Sequence, residues 1–484
     1  MMRAAPCSLP GIAAALAAVV LAGCGTVDRA RKAQAAAERT MIDAHAAQRV
    51  FEPVSIANPS LRNLVEFALT NRPAMVSRNI AVEEARIALK DLDADAPIVS
   101  ATPWNSVSAN VKLGYSERSE SRNFSNFAKK TDRSNPSSSL SLDLLVYDFG
   151  RNDALKRAAA ENVIAAELEL AEEGYKVFYQ VASAYFTLLC SEALCDVANS
   201  NTVQYASHLA QAEDMFEQGE VQQLDVLRAR LDLARAVENA VLASNDVAVA
   251  GANLVAYLGV NAAQGDYRSV FGGRLGGLDR RVRAFGDTSF SSAEAFASAR
   301  IDAPQLRIAR ARLRAAASRV DYAIADLKPV VSASLSLNWT DPLWYWNWGV
   351  NAAQSLFTGW RKSLAVDRAV LEMQRCESDV EAAELLLSRN LEVALAERDN
   401  ALKAAATAKE SILSAGENLD TVRAQFEVGD VSRIEFTDAV SSYADALGNE
   451  IKAFYRGQIA EAALFEILGE APAYCNEASE EEKK

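Results

Sequence analysis

Few residues of this 484-residue chain have the types and spacing that catalysis or metal binding needs. Its two histidines, His45 and His208, lie far apart, and neither belongs to a metal-binding motif, so no zinc or two-metal site is predicted. The chain also has no GxSxG sequence, no glycine-rich phosphate loop and no Ser/His/Asp or Cys/His arrangement. We therefore expect no enzyme activity, no catalytic residue and no cofactor.

The cysteines do not indicate a disulfide framework, because no two of them form a CxxC pair. Cys190 and Cys195 lie in a stretch that is predicted to be helical, where a separation of five residues places them on different faces. We expect free thiols, and a long-range disulfide is the alternative. The six cysteines are Cys7, Cys24, Cys190, Cys195, Cys376 and Cys475.

One cysteine, Cys24, has a sequence context that predicts covalent lipid attachment. Residues 1–23 have a positive start and then an apolar run that is too short to span a bilayer, which indicates an export signal. The small residues before Cys24 resemble the lipobox of bacterial lipoproteins, which implies that Cys24 becomes the mature N-terminus and carries acyl chains such as palmitate. Gly25, rather than Asp, in the next position implies passage onward to the outer membrane. An ordinary secretory signal with an incidental cysteine is the alternative.

The overall composition is that of an ordered protein with an acidic surface. Half of the residues are hydrophobic, a quarter are charged, and the formal net charge is -14. Nucleic-acid binding needs clustered Lys and Arg that displace the counterions of phosphates, and no such basic stripe occurs. The composition therefore argues against a nucleic-acid partner.

The chain contains an internal duplication with a constant spacing. Tyr147-Asp148-Phe149-Gly150-Arg151 corresponds to Phe357-Thr358-Gly359-Trp360-Arg361, and Phe216–Val221 corresponds to Phe426–Val431, both at a shift of 210 residues. Leu258-Gly259 and Leu468-Gly469 have the same shift. Because three matches over more than a hundred residues share one register, we infer two structural repeats. The first repeat has a longer loop before Tyr147.

Each repeat predicts two strands followed by a long helical hairpin. Proline-free stretches after Arg151 and Arg361 have the apolar spacing of helices and are long enough for about 100 Å each at ~1.5 Å per residue. Gly219 and Gly429 mark the points where these helices reverse. The predicted helices span 152–216, 221–258, 362–426 and 431–468.

The predicted strands alternate apolar and polar residues, which is typical of strands with one apolar face. Their length of about ten residues suits a tilted strand that crosses a membrane. They span 105–117, 138–147, 331–340 and 346–356. All six tryptophans lie in or beside these strands, as expected of aromatic residues at a membrane interface. A soluble β-sandwich with core tryptophans is the alternative. The six are Trp104, Trp339, Trp344, Trp346, Trp348 and Trp360.

The lipobox, the duplication, the strand pairs and the long hairpins together resemble the TolC-type outer-membrane efflux and secretion proteins, over about residues 58–470. The resemblance implies a mainly α fold with a transmembrane β portion. It implies a homotrimer whose strands form one shared 12-stranded barrel, continued by an α-helical barrel in the periplasm. Closing the barrel would leave no unpaired strand edge in the lipid. The implied partners are a periplasmic adaptor protein, an inner-membrane transporter and outer-membrane lipid.

The resemblance also implies roles for residues at and near the two hairpin tips. The family's acidic constriction corresponds to Glu435 and Asp438 in the second repeat and to Asp225 in the first. A solvated acidic helix face is the alternative for these three. The family's polar gate latch is missing, because Phe426 and Val431 replace a tyrosine and an arginine. The gate is then held by Asp225–Arg228 contacts or is looser. The implied adaptor-docking tips are Gln218, Gly219, Glu220, Val428, Gly429 and Asp430.

The predicted organisation has six segments. They are a lipoprotein signal peptide (1–23), a lipid-anchored segment (24–57), the first repeat (58–259), an equatorial connection (260–291), the second repeat (292–470) and a disordered acidic tail (471–484). The favoured function is a passive exit duct for efflux or type I secretion, anchored in the bacterial outer membrane and extending into the periplasm. Drugs, metal ions and polypeptides all stay open as cargo. The alternative function is a structural periplasmic coiled-coil lipoprotein that forms no channel.

Overall fold

The computed structural model describes residues 30–36, 60–94, 107–117, 134–219, 221–260, 303–340, 343–355, 357, 359–428 and 430–469. The chain divides into two compact units, Met1–Ser55 and Ile56–Lys484. Residues 30–36 of the first unit form a short helix. The predicted signal peptide, nearly all of the equatorial connection and the acidic tail lie outside the described residues.

The second unit contains seven helices and four strands among its described residues. In each repeat two strands precede a long helical hairpin, as the sequence predicts, and the three shorter helices before the strand pairs are additional. The elements are α1 (Leu61–Asn71), α2 (Pro73–Ala94), β1 (Val107–Glu117), β2 (Ser134–Tyr147), α3 (Arg151–Glu217), α4 (Gln223–Tyr257), α5 (Pro304–Ala325), β3 (Val330–Thr340), β4 (Leu343–Ala353), α6 (Arg361–Val428) and α7 (Arg433–Leu468). The series α2-β1-β2-α3-α4 thus recurs as α5-β3-β4-α6-α7. This mainly α fold with a small β portion and two repeats confirms the predicted fold class.

The four strands form one antiparallel sheet in the order β1-β2-β3-β4, so the two repeats share a sheet through β2 and β3. Two strands begin at least three residues before their predicted starts. β2 begins at Ser134 rather than 138, because its serine-rich start pairs with the far end of β1. β4 covers Leu343–Ala353 rather than 346–356, because Leu343 pairs with Thr340. Pairing with a neighbouring strand, rather than apolar alternation, sets both starts.

The strand-to-helix junctions explain the first repeated motif. Phe149 and Gly150 both have positive φ, of 55° and 84°, and so do Gly359 and Trp360 in the second repeat, at 63° and 66°. Two successive left-handed residues turn the chain sharply, and a bulky residue in that region is costly. In the first repeat Asp148 stabilises the turn, because its carboxylate accepts bonds from the amides of Gly150 (3.2 Å) and Asn152 (2.7 Å).

The main core lies where the two repeats meet. Val181, Phe186 and Leu188 of α3 are almost completely buried, with Leu254 of α4 and Tyr455 of α7 in the same cluster. By length and composition, α3 and α4 could each cross a membrane, but half of the apolar window of α3 is buried within the protein. Core packing therefore accounts for part of the apolar character of α3. A second cluster joins α5, α6 and α7 around Leu306, Leu391 and Leu464.

Ion pairs connect α3 to α2 of its own repeat and to α5 of the second repeat. The carboxylate of Glu169 accepts hydrogen bonds from Arg78 of α2, at 2.8 Å, and from Arg312 of α5. Arg314 of α5 pairs with Glu161 of α3 at 2.9 Å. These pairs connect corresponding helices of the two repeats through one helix.

Candidate functional site

The two hairpin tips are exposed and end in tight turns. In the first tip, Gly219 has φ of +80°, and its amide donates to the carbonyl of Phe216 at 3.0 Å. In the second tip, the amide of Asp430 donates to the carbonyl of Gln425 at 2.9 Å, and Val428 is 77% exposed. Of the predicted docking residues, Gln218, Gly219, Val428 and Asp430 are described, whereas Glu220 and Gly429 lie outside the described residues.

Glu435 has a local structural role at the start of α7. The Ser432 hydroxyl accepts a hydrogen bond from the Glu435 amide at 3.4 Å, and the Glu435 carboxylate accepts one from the Ser432 amide at 3.2 Å. This reciprocal arrangement is a capping box, which satisfies two otherwise unpaired donors at a helix start. The corresponding N-cap in the first repeat, Gln222, makes no side-chain cap bond.

Asp438 lies one turn further along α7 and belongs to a larger acidic surface. With Asp232, Asp246 and Asp445 it lines a cavity of about 630 Å³ between α3, α4 and α7, which Arg235 and Lys452 also line. Burial raises the pKa of the Tyr205 phenol beside them, and the charges of Asp232, Asp445 and Asp438 raise it further. Sequence reasoning missed Asp232 and Asp445. Asp445 could have been found, because it lies seven residues, about two turns, after Asp438.

Asp225 lies in a different cavity from Asp438. This second cavity, of about 730 Å³, lies between the tips of the two hairpins. It is lined by Asp225, Asp214, Arg423 and His208, together with uncharged polar and apolar side chains. Asp225 and Arg228 form no ion pair among the described residues, whereas Arg230 pairs with Glu213 of α3 at 2.7 Å. Within one chain, the three predicted constriction acids therefore do not converge on one point.

An aromatic cluster beside the second cavity connects the hairpins. The ring of Phe436 is buried and stacks on Phe426, with the ring centroids 4.9 Å apart. The ring of His208 from α3 meets Phe436 edge-on at 4.7 Å. Phe426, which replaces the tyrosine of the family pattern, thus packs within the second hairpin, and Phe436 makes the contact across to the first.

The sheet has one continuous apolar face. In the register of β3 and β4, Trp346 pairs with Leu337 and Trp348 with Leu335. Trp344, Trp346 and Trp348 are 60–72% exposed, and Trp360 at the junction is 73% exposed. Trp339 pairs with Trp344 across the strands, and Trp104 lies outside the described residues. The opposite face of β3 and β4 is mostly polar, although it also includes Tyr345 and Gly349. Its polar residues are Ser332, Ser334, Ser336, Asn338, Asn347 and Asn351.

The two outer strands of the sheet have unpaired edges, and two helices have exposed apolar side chains. Within the described strands, β1 and β4 each pair with a neighbour on one side only. Apolar side chains are exposed at helical spacing on α4 and on α6. These are Leu224, Leu227 and Leu231 on α4, and Leu364, Leu371 and Leu385 on α6. No cluster of three or more His, Cys, Asp or Glu that could hold a metal occurs in the described part of the chain.

The protein-family model that matches the chain is that of the outer membrane efflux protein, over residues 72–260 and 296–470. No curated protein sequence matches. Several solved structures share the fold. A membrane protein from Pseudomonas aeruginosa is 19% identical with a TM-score of 0.71, and the match covers 86% of this chain and 91% of that one. VceC from Vibrio cholerae is 17% identical, with 84% and 96% covered and a TM-score of 0.68. The CmeC channel of Campylobacter jejuni is 15% identical, with 90% and 94% covered and a TM-score of 0.70.

Proposed function

The chain belongs to the outer membrane efflux protein family, and we propose that three copies of it form the passive exit duct of a tripartite efflux or type I secretion system. The observation that carries this proposal is the sheet with one apolar face and two open edges. A sheet with open edges cannot lie in hydrocarbon, because its unpaired amides and carbonyls would have no partner there. Three such sheets joined edge to edge would form a closed barrel of twelve strands.

The exposed apolar residues of α4 and α6 support the same assembly. Within a protomer, α3 and α7 pack against each other, whereas α4 and α6 lie at the outer sides of the two hairpins. Their exposed leucines would be buried against the next copy, at about 25 cal/mol per Å² of apolar surface removed from water. The helices would then continue the barrel into the periplasm as a tunnel.

The hairpin tips are the proposed docking site for a periplasmic adaptor, which would connect the duct to an energised inner-membrane transporter. Gln218, Gly219, Val428 and Asp430 are exposed there, and Glu220 and Gly429 complete the proposed set. Their contribution can be measured by cross-linking a cysteine at position 218 or 430 to a co-expressed adaptor. A cysteine at Asn400, in the middle of α6, serves as the exposed control far from the tip.

Asp225, Glu435 and Asp438 are the proposed acidic constriction, and Asp232 and Asp445 extend it. Threefold symmetry would turn each carboxylate into a ring of like charges, which attracts cations and filters passage. We expect the double variant Glu435→Ala/Asp438→Ala to raise conductance and to weaken block by divalent cations. Unchanged block would remove both residues from the constriction.

Planar-bilayer recording of the purified protein tests the channel proposal. We expect single-channel steps, and cross-linking in detergent should give a trimer. The competing function is a structural coiled-coil lipoprotein. Such a protein would give no single-channel steps, and it would have no need for a sheet with an exposed apolar face. An Asn351→Lys variant, which adds a charge on the polar face of β4, should shift ion selectivity if that face lines a pore.

Lipid attachment at Cys24 completes the proposal. Its lipobox context supports a mature N-terminus at Cys24 with acyl chains, which gives an anchor stronger than a single chain could. Cells that are fed labelled palmitate should label the wild-type protein and not the Cys24→Ser variant. Cys190→Ser is the matched control, and full labelling of Cys24→Ser would refute the lipid anchor.

A further inference from the structure

We propose that Phe436 and His208 form an aromatic clasp that holds the two hairpin tips together and keeps the channel entrance closed. The proposal rests on the channel function proposed above. It concerns the contact between hairpins within one protomer, where Phe436 of α7 meets His208 of α3 with ring centroids 4.7 Å apart. An edge-to-face arrangement of this kind is a favoured geometry for aromatic pairs.

The surroundings of Phe436 fix its ring in place. On one side Phe426 of α6 stacks on it at 4.9 Å and 19° between the planes. Leu419, Ala439 and Val440 complete a small cluster, and Phe436 itself is only 4% exposed. The ring is therefore held rigidly by its own hairpin and offers its remaining side to the other hairpin. His208, half-buried on α3, occupies that side.

In the first repeat, the hairpin tip is closed without an aromatic ring at the position that corresponds to Phe436. The residue that corresponds to Phe436 is Val226, which is 7% exposed in a small cluster with Ala212 and Ala229. A valine is thus sufficient to close a hairpin tip of this design. The residue that corresponds to His208 is Asn418, so the pair occurs only once in the duplicated chain. The additional aromatic surface at position 436 is used between the hairpins.

The clasp also has space in which to open. The cavity of about 730 Å³ between the tips is lined by His208, Phe426 and Phe436 themselves. Close-packed interiors resist movement because every displaced atom meets another. The His208 ring borders this cavity, so open space lies beside its contact with Phe436. Separation of the tips would break this one contact while Phe426 keeps Phe436 within its own hairpin.

The test compares Phe436→Leu, His208→Ala and the double variant in the full-length protein. Leucine keeps apolar bulk at position 436, so the hairpin can still pack. The matched control is Tyr443→Leu, an aromatic residue two turns along the same helix whose ring lies beside Gly416 of its own hairpin. Hydrogen exchange of the α3 amides in residues 204–215 is the first readout, because a role confined to the second hairpin would leave it unchanged.

We expect both single variants to speed exchange in residues 204–215 by about two- to tenfold, the range for an aromatic pair, and the double variant to add little. Tyr443→Leu should leave that region as in the wild type. In planar bilayers, Phe436→Leu and His208→Ala should raise resting conductance, and Tyr443→Leu should not.

Two contrary results have different meanings. If the wild type conducts and Phe436→Leu leaves both exchange and conductance unchanged, the clasp is refuted and the channel stands. If neither the wild type nor any variant conducts, the channel proposal fails, and the proposed gating role of the two rings fails with it. This holds even if hydrogen exchange shows that the rings connect the two hairpins.

Discussion

Ser432 and Glu435 exchange two hydrogen bonds at the start of α7, at 3.2 and 3.4 Å, so a proposed constriction residue is also a helix cap. The two roles depend on different properties of the side chain. The cap needs a hydrogen-bond acceptor three residues into the helix, which either Glu or Gln supplies. The constriction needs a negative charge.

Substitutions at Glu435 can therefore separate the two roles. Glu435→Gln should lower divalent block without loosening the first turn of α7, because the amide oxygen still accepts the Ser432 bond. Ser432→Ala should do the reverse and cost about 1 kcal/mol of helix stability. Block is measured in planar bilayers and the cap by amide exchange in residues 433–437. Gln222→Ala, at a helix start without a side-chain cap, is the control.

Trp346 and Asn347 are neighbours on β4 that face opposite sides of the sheet, which gives a direct test of the lipid face. Arginine at the centre of a lipid-facing strand costs about 2–4 kcal/mol. Trp346→Arg should reduce assembly into membranes, whereas Asn347→Arg should assemble and change ion selectivity. Membrane fractionation and trimer yield measure assembly. Equal assembly of the two variants would contradict the proposed orientation of the sheet.

Glu466 predicts a pH dependence of stability. Burial raises the pKa of this carboxyl, the nearby Glu172 raises it further, and Lys176 partly opposes both. A carboxyl with a raised pKa in the folded protein favours folding most below its unfolded pKa, and this contribution is lost as the pH rises through the folded pKa. Glu466→Gln should therefore raise the unfolding midpoint at pH 7.5 relative to the wild type and bring no such gain at pH 4.

The control for this prediction is Glu410→Gln, an exposed position on α6. Thermal unfolding in detergent at both pH values gives the comparison. If the gain of Glu466→Gln were the same at both pH values, the effect would come from packing rather than from ionisation.

Glu169 of α3 binds an arginine of α2 and an arginine of α5, and so connects the two repeats. We expect Glu169→Gln to weaken this connection and to lower the stability of the protein. Arg78 and Arg312 both bind this carboxylate, which is 22% exposed, while the two guanidinium groups are more exposed. Partly exposed pairs contribute little, so the expected loss is about 1 kcal/mol and should shrink in high salt.

Glu167→Gln is the matched control. Glu167 lies two residues away and, among the described residues, forms one ion pair, with Arg86 of α2. The control variant should lower the unfolding midpoint less than Glu169→Gln does. A loss at position 169 that is unaffected by salt would indicate a packing effect instead.

The repeat and the helix positions could be read from the sequence because they depend on local patterns. Gly219 marks the first tip since only a residue that tolerates positive φ suits such a turn, and the apolar period identifies the helices. The starts of β2 and β4 could not be read in this way. Ser134 and Leu343 belong to strands only because β1 and β3 offer them backbone partners.

The candidate site was also only partly predictable from the sequence. The types and spacing of Asp225, Glu435 and Asp438 are in the sequence, but which acids share a surface depends on how α3, α4 and α7 pack. Tertiary packing groups Asp438 with Asp232, 206 residues earlier in the chain, and leaves Asp225 in another cavity.

By itself, then, the sequence determined the duplication, the long hairpins, the amphipathic strands and the family, because periodicity and turn residues act over a few neighbouring positions. Only the tertiary structure decided that one sheet joins both repeats and that His208 meets Phe436. Those contacts join residues far apart in the chain, which no local pattern encodes. The Ser432–Glu435 cap is different, because a serine followed three residues later by a glutamate is a local signature of a helix start.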